Sequence, residues 1–84
     1  MLSPAQAHVL AEAYLAVHRS DRQVSPEVYG DKDGYTIGFG IWMVDELVPV
    51  CGEGPVLVDR HTGEMRFLGS VEQFDRLGRM RRVL

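Results

Sequence analysis

Residues 35–44 read Tyr35-Thr36-Ile37-Gly38-Phe39-Gly40-Ile41-Trp42-Met43-Val44, and their strict two-residue alternation decides the fold. Side chains on a strand point to opposite faces in turn. Tyr35, Ile37, Phe39, Ile41 and Met43 therefore face one way, toward a core. Thr36, Gly38, Gly40, Trp42 and Val44 face the other. That second face is nearly bare until Trp42, which leaves its backbone open to close approach.

Upstream, Asp31-Lys32-Asp33-Gly34 holds an Asp-Gly pair, the residues that supply the positive φ of a tight hairpin turn. Glu27-Val28-Tyr29 is then the partner strand. Before it, Ser3 is a good N-cap and Pro4 is tolerated at the first helical position. Val9, Leu10, Ala13, Tyr14 and Val17 follow at helical offsets and form one apolar stripe, which places a helix over residues 4–20. Downstream, residues 45–54 hold Pro49, Cys51 and two glycines and read as an irregular connection. A second hairpin follows, with residues 55–59 and 64–68 as strands about the turn Arg60-His61-Thr62-Gly63. Ser70 and Gln73 resemble a capping box, and Val71, Phe74 and Leu77 give a short helix that ends near Gly78. Residues 79–84 read as a frayed tail. The expected fold is α+β in a single domain over residues 1–84. Its N-terminal helix packs on a mostly antiparallel sheet of two hairpins, with a short C-terminal helix.

The 84 residues are 45% hydrophobic and 25% charged, an ordinary globular balance. Cys51 is the single cysteine, so no internal disulfide is possible and packing must carry the fold. No stretch is apolar enough to span a membrane, and Met1-Leu2-Ser3-Pro4 lacks the basic start of an export signal. A cytoplasmic location is expected. The net charge of −3 is unevenly spread. Residues 27–59 hold seven acids against one base, and residues 60–84 hold six arginines against three acids. An acidic middle repels nucleic acid and attracts a basic partner. The arginine tail lacks interleaved aromatics and belongs to an otherwise acidic domain, so nucleic acid is not expected as a partner.

Few residues suggest chemistry. Cys51 sits between Val50 and Gly52 beside Glu53, without the base or cation that activates a thiol. His8 and His18 project some 80° apart on the helix with about 15 Å of rise between them, so they cannot share a metal. His61 lies in a turn. A calcium loop starting at Asp31 would need glycine and glutamate where Thr36 and Trp42 stand. Gly38-Phe39-Gly40 lies inside a strand rather than opening a helix, so it is no dinucleotide fingerprint. The expectation is a non-enzyme with no cofactor and no metal.

Residues 52–70, Gly-Glu-Gly-Pro-Val-Leu-Val-Asp-Arg-His-Thr-Gly-Glu-Met-Arg-Phe-Leu-Gly-Ser, resemble the signature hairpin of the YrhB-like family, also described as Immunity protein 35. Gly52, Pro55, Val58, Asp59, Thr62, Gly63, Glu64 and Gly69 carry the match. Glu53, Tyr35 and Phe74 stand where family members have asparagine, tryptophan and tyrosine. The resemblance implies a small bacterial protein that binds and neutralises a cognate toxin; chaperone-like or general protein interaction is the alternative role.

Trp42 is the leading site candidate. It is either a large core residue on the second strand face or a partly exposed anchor rimmed by Asp45 and Glu46. In the second reading Gly38 and Gly40 lead to its ring as a shallow groove, and Asp31 and Asp33 extend an acidic surface for a basic toxin domain. The sequence does not give the oligomeric state.

Overall fold

The computed structural model describes residues 1–49 and 54–84, with the backbone alone for Ser70 and Val71. The helix α1 spans Pro4–His18 and the strands are β1 (Gln23–Gly30), β2 (Gly34–Met43), β3 (Glu46–Pro49), β4 (Val56–Asp59), β5 (Met65–Phe67) and β6 (Arg81–Arg82), with α2 (Ser70–Leu77) before β6. The fold is α+β, with every strand pair antiparallel. The sheet order is β5-β4-β2-β1-β6, and β3 pairs with β2 beyond the end of β4.

α1 starts as its sequence requires. The Ser3 hydroxyl accepts from the Gln6 amide at 3.2 Å, while the Gln6 side chain accepts from the Ser3 amide at 2.8 Å. These bonds satisfy donors that have no partner inside the helix. The helix lies on the sheet through Ala7, Ala11 and Leu15, with Leu10 and Tyr14 half-buried alongside. The expected stripe is thus rotated: Ala13, Val9 and Val17 point to solvent. Apolar residues ring this helix, so sequence offers two stripes. The sheet takes the one with alanines, whose small side chains let the helix sit close.

Beneath α1, the core joins Val28, Tyr35, Ile37, Phe39, Val56 and Val58. Fully burying a side chain such as Ile37 or Val56 is worth about 1.5–3 kcal/mol. Here the alternation of β2 holds, but only as far as Phe39. Ile41 and Met43 are 38% and 57% exposed, because β2 runs past the end of the core.

Three elements correct the expectation. Residues 46–49, read as part of an irregular connection, form β3; residues 50–53 lie outside the described residues. The tail read as frayed contains β6, which pairs Arg81 and Arg82 with Gly30 and Tyr29. The Val83 amide adds a 2.8 Å bond to the Val28 carbonyl. β1 starts earlier than expected and bulges, so that Ser25, Pro26 and Glu27 face Gly38 alone.

Smaller corrections concern turns and caps. Gly34 does not have positive φ; a Cβ there would stand 2.8 Å from the Val58 carbonyl oxygen, so close packing demands the glycine. Gly63 does have positive φ, at 80°, in the turn between β4 and β5. The N-cap of α2 is Gly69, one residue before the expected cap at Ser70. Phe74 on α2 is 82% exposed rather than core.

Candidate functional site

β1 meets β2 only as far as the pair Gln23–Gly40, so Ile41, Trp42 and Met43 are paired with β3 alone. The two strands form a ribbon that extends beyond the body of the sheet. Residues 41–49 hold no base and two acids, Asp45 and Glu46. We call this ribbon the arm.

The base of the arm is set by Gly40. A side chain there would collide with the Val48 backbone carbonyl, so only glycine fits. At its tip Val44 has φ 61°, a left-handed conformation that a β-branched residue rarely adopts. Val44 is also 99% exposed, so no packing contact explains its presence. Trp42 is 50% exposed and lies across from Leu47. Of the two readings of Trp42, burial in the core is excluded. Ile41, Trp42, Met43 and Val44 together make one exposed apolar run, with Asp45 and Glu46 exposed beside it.

The five expected site residues do not form one surface. Trp42, Asp45 and Glu46 share the arm, but Asp31 and Asp33 lie in the β1–β2 turn at the other end of β2. The eight positions from Gly34 to Trp42 put roughly 26 Å between them. Asp31 is moreover used internally. Its carboxylate accepts from the Asp33 and Gly34 amides at 2.9 Å each and pairs with Arg76 at 3.1 Å. Burial pushes this carboxyl up, but the Arg76 guanidinium and the two amides outweigh that and hold it below its usual range. Asp33 is exposed near the same turn.

The expected groove running from Gly38 and Gly40 to a Trp42 wall does not form. Gly38 borders a depression of about 280 Å³ between β1 and α2, with Tyr29, Thr36, Gln73 and Leu77 around it. Trp42 is not on its wall, and Val48 occupies the space above Gly40.

The folded chain also shows why the acidic middle is less available than its composition implies. Glu27 pairs with Arg82 and Asp31 with Arg76, so arginines of the C-terminal third cover acids of the middle. Asp45 and Glu46 have no such partner among the described residues.

Elsewhere the candidate chemical groups stay apart. His8 Nε2 donates to the Ser25 carbonyl at 2.8 Å, His18 packs against Tyr14 with ring centroids 4.2 Å apart and planes tilted by 40°, and the His61 amide donates to Asp59 in the second turn. Among the described residues no three histidine, cysteine or acidic side chains converge as a metal site. Cys51 lies outside them. The turn that carries the family resemblance is structural: Asp59 accepts from the His61 and Thr62 amides, and these bonds, that of Thr62 foremost, hold its carboxyl below the usual range.

Sequence reasoning missed the arm as an element and with it Met43 and Val44. The available signal was an alternation running over ten residues, at the upper end of ordinary strand length. No helix is long and apolar enough to cross a membrane. No family model matches the chain, and neither curated proteins nor solved structures give a match.

Proposed function

We propose that this chain is a cytoplasmic binding protein of the immunity type, which neutralises a basic bacterial toxin domain by holding it against the arm. The observation that carries the reading is the exposed run Ile41–Val44, with a half-exposed tryptophan and a fully exposed, conformationally strained valine. A two-stranded ribbon is marginal on its own in water. Apolar side chains at its end are best explained by a partner that covers them. Interfaces commonly centre on an aromatic anchor and keep charge at the rim, where Asp45 and Glu46 stand. The toxin class itself comes from the family resemblance of residues 52–70, and no catalytic role is needed for it.

Co-expression with the toxin domain encoded beside the gene tests the reading. Growth should be rescued, the two proteins should co-purify, and a Trp42→Ala, Val44→Asp variant that still folds should lose both effects. Full rescue by that variant would exclude the arm. Suppressed aggregation of several unrelated heated proteins, without tight binding to one, would instead favour the chaperone-like role.

A further inference from the structure

We infer that the partner is gripped by strand addition: the outer edge of β3 takes an extended, positively charged segment of another protein, centred on Leu47. This rests on the reading that the arm binds a protein, and it specifies how.

The hydrogen-bond pattern of the arm follows from one residue. β2 and β3 pair as Gly40–Pro49, Ile41–Val48, Trp42–Leu47 and Met43–Glu46. Proline has no N–H, so Gly40–Pro49 must be the kind of antiparallel pair that exchanges no hydrogen bonds. Such pairs alternate with bonded ones. Ile41–Val48 and Met43–Glu46 are therefore bonded to each other, and Leu47 turns its N–H and C=O outward. The Pro49 carbonyl points the same way. Among the described residues β3 has no second neighbour in the sheet, so these groups form an open strand edge.

The other uncovered edges are closed to such an addition. The free part of β1 carries Pro26, and its Ser25 carbonyl is already taken by His8. β6 is two exposed arginines. β5 is three residues long, and its Arg66 is held by Glu72 at 2.8 and 2.6 Å. Across the arm, Trp42 also turns its backbone outward, but a strand added there would run into β1 at Gln23, the partner of Gly40. Short strands, charge and proline are the usual guards of sheet edges. β3 has a proline only at its last position, where a carbonyl is still on offer, and Leu47 and Val48 in its interior.

Charge selects the occupant. The charged side chains of the arm itself are Asp45 and Glu46, both acidic and unpaired among the described residues. An incoming strand with lysine or arginine at its ends meets them favourably.

The test uses the isotope-labelled protein and a short synthetic peptide that alternates lysine and valine, together with a twin N-methylated on alternate amides. Amide exchange at Leu47 should slow by about tenfold or more in the unmethylated peptide and stay unchanged with its twin. Leu47→Ala, which keeps the N–H, should still show slowed exchange of the amide at position 47 when the peptide is added. Leu47→Pro, with its fold checked by circular dichroism, should lose binding. Equal binding of both peptides, binding that leaves the Leu47 amide unprotected, or no binding overturns strand addition. The co-expression assay separates the two ideas: if rescue still requires Trp42 after such a result, the arm binds its partner by another mode, and if it does not, the functional reading fails as well.

Discussion

Val44 and Trp42 sit two positions apart, yet replacing them should move stability in different ways. A non-glycine residue in the left-handed region costs about 1–2 kcal/mol, and asparagine tolerates that region better than valine. Val44 gives up no packing on substitution because it is 99% exposed. Val44→Asn should therefore raise stability by about 1 kcal/mol in a denaturant titration while weakening partner binding, the pattern of strain kept for function. Trp42→Ala should weaken binding by about 2 kcal/mol or more, as loss of an aromatic anchor does, and change folding stability by less than about 1 kcal/mol. A large fall in stability with unchanged binding would show that the ring serves the fold. At this scale the sequence named Trp42 but not Val44, since the φ of 61° depends on a turn that no Asn-Gly or Asp-Gly pair announces.

Ion pairs join α2 to β5 and to the β1–β2 turn. Phe74 points outward, while Arg66 grips Glu72 with both terminal guanidinium nitrogens and Arg76 reaches Asp31 in the first hairpin turn. The Arg66 hydrogen bond holds the Glu72 carboxyl down to about 2. Asp31 and Asp59 lie below their usual range as well. Carboxyls whose folded values are lower than the unfolded ones stabilise the fold fully above about pH 4, and lose that contribution as pH falls through the folded values. Melting temperature should thus drop between about pH 4 and pH 2, and Asp31→Asn should make the drop shallower. A melting temperature that rises on acidification would contradict the assignment. The pair of Asp31 matters more than that of Glu72, since less than a fifth of the Asp31 side chain is exposed while 43% of the Glu72 side chain meets solvent. Elements of this length divide sharply in legibility. β2 and α1 are long enough to repeat their pattern, whereas β3 has four residues and β6 two, too few for any period to show.

Across the whole molecule, folding rearranges the charge that the sequence lays out in blocks. The arginine-rich end returns to the acidic middle through Arg76 and Arg82, while Asp45 and Glu46 of the arm, like Asp33 at the far end of β2, keep no ion-pair partner among the described residues. Electrostatic steering of a basic partner should then depend on Asp45 and Glu46. Their joint replacement by lysine should slow association by about tenfold at low salt and flatten its salt dependence, with a smaller effect on dissociation. Stopped-flow mixing over a range of ionic strength reads both quantities, and an unchanged salt slope would count against the arm. Linear charge blocks predicted a basic partner but could not say which acids remain for it, because that depends on pairings such as Asp31 with Arg76, 45 positions apart.

Gly40 has a further consequence, one that concerns descent. It is the position at which the ribbon leaves the sheet, and it admits no side chain because the Val48 carbonyl fills the space. Past it, none of the residues 41–48 joins the buried core. Selection can therefore rewrite the tip while Gly40 stays fixed, and the remainder of the chain never has to find a new way to fold. Among diverging descendants of this gene, substitutions should accumulate fastest between positions 41 and 48 and be almost absent at position 40. A lineage that keeps its tip and varies its core would have a different history.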